Sequence, residues 1–335
     1  MDALSDVLQT IKLSGMIFLR GDLGAQYGVS MPPPTISHPT VKPHSPEHRL
    51  VMFHIVREGQ GYVEVEGFEA QQLHSGDLII IFDDLEHNLV DAPGREAIPS
   101  SKLVGNRSLP TVAPAVQLGK GPPTMRIVCG MLQFVDRGFN PLFRALPPFL
   151  HVPGERGPPA AWIRTSVDLI LTEAEADRPG GGTFMSRLTE LLFVETLRGY
   201  LKSLAGTDEG GWFSALNDAV VGPALQLMHE SPEYPWTVAE LAKRTATSRS
   251  GFAARFGELL GVSPIAYLTQ WRIRLATNLL EDPTLTIADI AGRVGYESES
   301  AFHRAFKREI GLPPASWRRQ SAAAAGSPAS TTTEA

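Results

Sequence analysis

The sequence has a single cysteine and no long apolar run among its 335 residues. One thiol, Cys129, excludes an intramolecular disulfide and any zinc site within one chain that needs two thiolates. No stretch approaches the roughly 18 apolar residues of a membrane-spanning helix. The N-terminus at 1–6 is acidic, whereas a signal peptide begins with basic residues. We therefore expect a cytoplasmic protein with no membrane partner.

Positive charge is also scarce, because 30 Lys and Arg oppose 36 Asp and Glu, which gives a formal net charge of −6. The deficit is uneven along the chain. Residues 236–320 hold 12 basic and 8 acidic side chains, a net charge of +4, while the remainder holds 18 and 28, a net charge of −10. Only the C-terminal third is therefore suited to a polyanion, through a limited number of phosphate contacts.

The C-terminal third contains an internal repeat. Four residues of the first copy recur 50 positions later in the second copy: Phe252, Phe256, Gly261 and Pro264 correspond to Phe302, Phe306, Gly311 and Pro314. Thr237 and Thr286 are candidate N-caps of the helix that opens each copy, and the glycines suit helix ends. Each copy therefore reads as a helix, a turn and a second helix. Two such units could present two helices to successive turns of a DNA major groove.

The second helix of the second copy has two distinct faces. Phe302 and Phe306 predict a buried face, and the opposite face carries Ser300, His303, Arg304 and Lys307. Serine and arginine can bond base edges, and lysine suits a phosphate. A solvated helix face with ordinary charges is the alternative, but the paired repeats favour DNA reading.

The corresponding helix of the first copy offers fewer polar groups. Arg249 and Ser250 are the candidate readers, whereas Ala253 and Ala254 could meet only thymine methyl groups or sugars. Between the copies, residues 265–280 predict one rigid connecting helix. Arg272 and Arg274 on that helix are expected at the surface or facing phosphates. Arg255 could contact DNA, but it could as easily pack its stem and bond a neighbouring helix.

The N-terminal half predicts a different kind of structure. Short apolar segments separated by turn residues over 50–91 indicate antiparallel strands in a small barrel or jelly roll, and 126–135 adds a strand. Residues 92–124 read as a long loop. Helical periodicity over 162–176 and 184–204 predicts a helix pair that either covers the barrel or forms a dimer contact.

The motifs of the C-terminal third resemble the DNA-binding domain of the AraC/XylS family of bacterial transcription regulators, over about 212–320. The resemblance rests on Ser-Arg-Ser-Gly-Phe at 248–252, Gly-Val-Ser-Pro at 261–264, Phe-His-Arg-Ala-Phe-Lys-Arg at 302–308 and Gly-Leu-Pro-Pro at 311–314. It implies base-contacting roles for Arg249, Ser250 and Ala253 in the first unit, and for Glu299, Ser300, His303 and Arg304 in the second. Ala254 departs from the family, in which many members carry Arg there.

The N-terminal half resembles the cupin-type sensor domain of one AraC subgroup, over roughly 2–200. The resemblance rests on Phe-His-Ile-Val at 53–56, Gly-Asp-Leu-Ile at 76–79, His87 and Cys-Gly at 129–130. It implies a ligand-sized barrel interior, with the helix pair available for dimerisation. His54 and His87 are the candidate effector-binding residues.

A metal site is not predicted in this domain. Met52 stands where metal-binding cupins usually have a carboxylate, and two imidazoles alone make a weak site. Cys129 follows an apolar run, which favours a buried, inert thiol.

These inferences predict an α+β protein. Residues 1–205 form a cupin-like β-barrel with a helical hairpin, 206–211 form a linker, 212–320 form an all-α domain of two helix-turn-helix units, and 321–335 form a disordered tail. We expect a regulator that binds double-stranded DNA under the control of an unknown small-molecule effector, without a cofactor or catalytic residues. Homodimerisation and contact with RNA polymerase are left open. The alternatives are a metal-dependent cupin enzyme fused to a DNA-binding domain and a low-specificity architectural DNA binder.

Overall fold

The protein is described by a computed structural model that divides into two compact units. One unit, here called the sheet unit, comprises 12–135 and 146–203, and the helical unit comprises 1–11, 136–145 and 204–335. The residues that the structure describes are 2–33, 48–82, 85–104, 115–135, 139–154, 162, 165–170, 172–173, 178–204 and 211–326.

This division differs from the predicted domain boundaries in one respect. Residues 1–11 and 136–145 group with the helical unit, although they precede the predicted linker by a long distance in sequence. The boundaries at 205 and 212 stay a prediction. Of the predicted linker, 206–210 lie outside the described residues.

The sheet unit is built around two long strands. The strands are β1 (Lys12–Ala25), β2 (Gly28–Met31), β3 (His48–Val65), β4 (Gln71–His74), β5 (Leu78–Ile81), β6 (His87–Val90), β7 (Ile98–Pro99), β8 (Ala115–Leu118), β9 (Lys120–Val135) and β10 (Phe149–Val152). Their order along the sheet is β7-β2-β6-β3-β9-β1-β8, with β4 and β5 on β3 and β10 on β5. Most pairs are antiparallel, and β1 with β8 and β2 with β7 are parallel.

Side chains alternate along these strands, so that one face of the sheet encloses an apolar interior. Leu19, Met52, Val63, Ile79 and Met131 belong to one buried cluster there. The described strands follow an open path, which makes the unit a cupin-like half-barrel. The predicted sheet-rich, cupin-like N-terminal half is confirmed.

The prediction of a loop at 92–124 was wrong for the strands and the helix described within it, whereas 92–97 do form turns and irregular structure. Residues 98–99 form β7, helix α2 spans Ser101–Val104, and 115–118 form β8. Strand β9 also starts at Lys120, before the predicted strand at 126. The start of β9 could not be predicted from the sequence, because two prolines and two glycines around it interrupt the alternation of apolar residues that indicates a strand.

Helices follow the last strand of the sheet unit. Residues 165–170 are helical, and a long helix, α4, spans Gly181–Ser203. Leu188, Leu192 and Leu197 of α4 are buried, while Phe184 and Leu191 are among the most exposed large apolar side chains of the described residues.

The helical unit consists of short helices joined by tight turns. Its helices are α1 (Ala3–Gln9), α3 (Pro141–Ala145), α5 (Trp212–Asn217), α6 (Val221–Glu230), α7 (Val238–Arg244), α8 (Arg249–Leu260), α9 (Pro264–Leu279), α10 (Ile287–Arg293), α11 (Glu299–Ile310) and α12 (Pro314–Gly326). Helices α7 and α8 form the first helix-turn-helix unit, and α10 and α11 form the second. The predicted all-α C-terminal domain is confirmed.

Helix α12 runs past the start of the tail predicted at 321–335. It continues to Gly326 because Trp317 and Ser321 are buried on its inner face and Arg318 donates hydrogen bonds to the carbonyl oxygens of Leu280 and Leu285. Residues 327–335 lie outside the described residues. In the part of the chain that the structure describes, no helix is both long and apolar enough to cross a membrane.

Candidate nucleic-acid interface

Helix α8, the second helix of the first helix-turn-helix unit, is predicted to read DNA and is called the first reading helix; it is fixed at both ends. Ser248 accepts a hydrogen bond from the amide of Gly251 at 3.1 Å and so caps the N-terminus. At the other end Gly261 has a φ of 68°, the left-handed conformation that favours glycine at a helix end. Phe252 and Phe256 are fully buried and fix the rotation of the helix about its axis. The same rotation leaves Arg249, Ser250 and Ala254 exposed and Ala253 half-buried.

Arg255 is a structural residue of the first unit. Its guanidinium donates to Asp218 at 3.0 Å and to Glu258 at 2.9 Å. Asp218 in turn accepts hydrogen bonds from the amides of Val220 and Val221 at the start of α6. Arg255 therefore ties the reading helix to the helix that precedes the repeat, and of the two roles open to it in the sequence this is the one that its contacts match.

The second reading helix, α11, is built in the same way. Ser298 accepts a hydrogen bond from the amide of Ala301 at 3.2 Å, and Gly311 has a φ of 85° at the C-terminal end. Phe302 and Phe306 are fully buried. The preceding helix α10 starts with a capping box, in which Thr286 and Asp289 bond each other's backbone amides.

The outer face of α11 carries more hydrogen-bonding groups than that of α8. Glu299, Ser300, Arg304 and Lys307 are exposed, and His303 is half-buried. The His303 Nε2 and Glu299 Oε1 atoms lie 3.4 Å apart, one helical turn from each other. Within the described part of the chain, no carboxylate lies within 4.0 Å of Arg304 or Lys307. Both cations are therefore available to an external anion.

Of the two arginines of the connecting helix α9, Arg274 does not lie where the sequence suggested. Arg272 donates to the carbonyl oxygens of Pro232 and Tyr234 at 2.6 and 2.8 Å. Arg274 is buried and donates to the carbonyl oxygen of Thr10 at 2.8 Å. The prediction that these two residues are surface or phosphate-facing was wrong for Arg274. Its partner comes from the N-terminal end of the chain, and no local pattern in the sequence could indicate that contact.

A buried polar cluster supports the first unit. The Trp212 indole donates to the Tyr267 hydroxyl at 2.9 Å, and that hydroxyl lies 2.9 Å from Nε2 of His229. The Tyr267 oxygen has two lone pairs, so it can accept from Trp212 and still either donate to or accept from His229 Nε2, according to the imidazole tautomer. Burial lowers the pKa of His229 to about 3, which keeps the imidazole neutral.

The two histidines predicted to bind an effector meet in the interior of the sheet unit. Nε2 of His54 lies 2.7 Å from Nε2 of His87, and Nδ1 of His54 lies 3.0 Å from Sγ of Cys129. Nδ1 of His87 lies 3.2 Å from the carbonyl oxygen of Leu85. All three side chains are fully or almost fully buried.

This chain of contacts permits one arrangement of protons when all groups are neutral. A carbonyl oxygen only accepts, so His87 carries its proton on Nδ1 and accepts at Nε2 from His54. His54 then accepts at Nδ1 from the Cys129 thiol. Burial, and secondarily the neighbouring His87, lowers the pKa of His54 well below its ordinary value, and burial lowers that of His87 to about 4. Burial also raises the pKa of the Cys129 thiol.

The sequence placed His54 and His87 in one interior but missed Cys129 as their partner. The missing signal was strand register, since His54 on β3 pairs directly with Cys129 on β9. Among the described residues, no group of three or more His, Cys, Asp or Glu side chains is arranged to hold a metal ion.

Both halves of the chain are similar to known families. A cupin family model matches residues 2–202, and a helix-turn-helix domain model matches residues 241–320. The chain is 34% identical over 323 residues to an AraC-like transcription regulator of Streptomyces lividans, and this alignment covers 95% of the chain and 98% of the relative.

Two further comparisons concern a curated relative and a solved structure. The chain is 29% identical over 329 residues to the HTH-type transcriptional regulator AlkR of Acinetobacter baylyi, covering 96% of the chain and 100% of the relative. The crystal structure of the DNA-binding domain of AdpA with a target DNA matches with 31% identity and a TM-score of 0.30, covering 32% of the chain and 95% of that domain. The chain combines a cupin-like half-barrel with two helix-turn-helix units, and its curated relatives match along nearly their whole length. The chain therefore belongs to the AraC family of DNA-binding transcription regulators.

Proposed function

We propose that this regulator reads a specific DNA sequence with α8 and α11, one in each of two successive major grooves. The observation that carries the proposal is the pair of helices with matching caps and matching buried phenylalanines, each of which exposes polar side chains on its outer face. The rigid helix α9 lies between them in the chain, so that their separation is set by the fold.

The two helices contribute different contacts in this proposal. In the second unit Arg304 donates two hydrogen bonds to a guanine, Glu299 accepts from a cytosine, and Lys307 pairs with a phosphate. Ser300 and His303 bond adjacent base edges or the backbone. In the first unit Arg249 and Ser250 read bases, and Ala253 contacts a thymine methyl group.

We further propose that the cupin-like half responds to a small-molecule effector. The support is the resemblance to cupin-type sensors and a polar His54, His87 and Cys129 cluster inside an otherwise apolar interior. An effector that separates the His54 and His87 rings would need to replace their mutual hydrogen bond. It can change transcription only by binding one arrangement of the protein more tightly than another.

The proposed protein partners are a second copy of the chain and RNA polymerase, and the proposed location is the cytoplasm. Phe184 and Leu191 on α4, with Leu169 in the preceding helical stretch, expose apolar surface that a second copy of the chain could cover. RNA polymerase is the partner through which a bound regulator would alter transcription. The protein acts without catalysis, in the cytoplasm, where bacterial chromosomes lie.

The proposal is tested by mapping the DNA that the protein occupies across the genome and then titrating the strongest site with purified protein. We expect a few sharp sites, and an affinity at least about a thousandfold higher than for random DNA at the same salt concentration. Broad occupancy with similar affinity for random DNA would instead identify a low-specificity architectural binder.

A further inference from the structure

A small cavity lies within the helical unit, next to the first reading helix. Its volume is about 100 Å³. It is bounded by the segment that contains α3, the start of α5, the turn between α8 and α9, and α9 itself. The side chains that matter for its chemistry are Phe139, Arg144, Trp212, Leu260, Val262 and Tyr267.

The walls of the cavity are aromatic rings whose polar atoms are already occupied. Phe139 meets Tyr267 edge to face, with ring centroids 5.5 Å apart. The Trp212 indole nitrogen and the Tyr267 hydroxyl bond each other, and that hydroxyl also bonds His229. The rings of Trp212 and Tyr267 are almost fully buried, so they form the inner wall of the cavity and have no spare hydrogen-bonding group for a guest. Such walls favour a flat, apolar ring.

A cation lies at the mouth of this cavity. The Arg144 guanidinium carbon is 5.6 Å from the centroid of the Phe139 ring, and the side chain is exposed. In the described ranges no carboxylate lies within 4.0 Å of Arg144. A guanidinium held against a ring without a carboxylate partner is suited to bind an anionic group in two-pronged geometry.

We propose that this cavity binds a small aromatic carboxylate of about the size of benzoate. The ring would lie against the half-buried side chains of Phe139, Leu260 and Val262, and the carboxylate would pair with Arg144. An enclosed cavity of about 150 Å³ holds benzene in an engineered protein. At about 100 Å³ this cavity is smaller, but its mouth is open, so that a single ring would be partly enclosed while its charged group projects outwards.

The cavity lies where a bound ligand would change the affinity for DNA. This regulatory role rests on the function proposed above. Leu260 is the last residue of reading helix α8, and Val262 follows its terminal Gly261. Tyr267 belongs to α9, which fixes the spacing of the two reading helices. A guest would therefore contact residues that hold the end of α8, so that bound and empty proteins can differ in their affinity for the first half-site.

The test titrates the full-length protein with benzoate and, separately, with benzamide, a neutral molecule of the same shape, and follows tryptophan fluorescence. We expect saturable binding of benzoate in the millimolar range or tighter, as befits a ligand of about nine non-hydrogen atoms. Benzamide should bind at least about tenfold more weakly, because it lacks the charge-assisted hydrogen bonds to Arg144.

Two variants and one control make the result specific. Arg144→Gln should lower benzoate affinity to that of benzamide, and Val262→Phe, which fills the cavity without touching the charge, should weaken both ligands. Arg57→Gln removes an equally exposed arginine from the sheet unit and should change neither. Equal binding of benzoate and benzamide, or unchanged benzoate binding by Arg144→Gln, would overturn the proposal.

Operator binding is measured separately without ligand and should be the same for wild type and Arg144→Gln. A wild-type protein that binds benzoate but has no specific DNA site refutes the proposed function and leaves the ligand site intact. A protein that binds its operator but shows no saturable response to benzoate refutes the ligand site alone.

Discussion

The two helix-turn-helix units share their framework and differ in their outer faces. Both reading helices start at a capping serine, end at a left-handed glycine and bury two phenylalanines four residues apart. The outer face of α8 then exposes Ala254 where α11 exposes Arg304. The residues that place the backbone are therefore different from the residues that form the outer face, so that one set can be kept while the other changes.

The buried residues that support the two reading helices, α8 and α11, also differ. The first unit rests on a hydrogen-bonded cluster of Trp212, His229 and Tyr267, whereas the second rests on an apolar cluster that includes Ile273, Ile290, Phe306 and Trp317. The two units therefore keep the same shape by different physical means, the first with a buried hydrogen-bonded cluster and the second with an apolar cluster.

The largest expected effect tests the shared framework. Phe256→Ala and Phe306→Ala should each lower the free energy of unfolding by about 3–5 kcal/mol, because both rings are fully buried and their loss leaves a cavity. Urea denaturation followed by circular dichroism measures the change. Phe184→Ala, at an exposed ring, is the control and should change stability by less than about 0.5 kcal/mol. A small effect at only one of the two phenylalanines would show that the frameworks are not equivalent.

Acid should destabilise the first helix-turn-helix unit more than the second, because the buried His229 supports the first. Its folded-state pKa of about 3 lies below the ordinary value of about 6.5, so the unfolded chain takes up a proton first as the pH falls. The free energy of unfolding therefore falls by about 1.4 kcal/mol for each pH unit below about 6.5, until the pH reaches the folded-state pKa. Among the described residues of the second unit no histidine is buried, and His303 on α11 is half-buried. Hydrogen exchange at pH 7 and pH 5 should show α8 losing protection before α11.

The His229 ring stacks on the Trp271 ring with centroids 4.0 Å apart. The control for this experiment is His229→Phe, which keeps an aromatic ring on Trp271 but removes the titrating group. In that variant the difference between the two pH values should largely disappear from α8. Equal loss of protection in both reading helices would show that other groups govern acid stability.

Removing Arg304 should test base reading by the second unit. Arg304→Ala is expected to weaken operator binding by about 1–3 kcal/mol and to relax the base preference at one position of the second half-site. Titration against a set of operators that differ at single positions measures both effects. Arg187→Ala, an exposed arginine on α4 of the sheet unit, should leave operator affinity unchanged. Unchanged affinity with Arg304→Ala would remove this residue from the reading surface.

The smallest effect concerns phosphate contacts and should appear in the dependence of affinity on salt. Ala254→Arg should give the first unit one further phosphate contact and steepen the logarithmic salt dependence by about 0.9, while Lys307→Ala should flatten it by the same amount. Both changes should affect all DNA sequences about equally. A change confined to one operator sequence would indicate base reading at that position.

The sequence predicted local features well because they depend on neighbouring residues. The N-cap at Thr286, the glycine helix ends and the faces of α11 all follow from local sequence patterns. The contact between Arg274 and Thr10 could not be predicted, since 264 residues separate them. The pairing of His54 with Cys129 was hidden for the same reason, because it depends on the register of two distant strands.

The burial of Arg274 against Thr10 also bears on how this family could be re-engineered or recombined. The helical unit is encoded by three separate pieces of sequence, 1–11, 136–145 and 204–335, so it is not a cassette that a single cut can release. A chimera that joined a foreign sensor at residue 205 would remove the carbonyl oxygen that Arg274 bonds and leave a buried guanidinium without that acceptor. A graft that carries 1–11 and 136–145 along with the reading helices would keep the unit whole, and gene fusion in nature faces the same requirement.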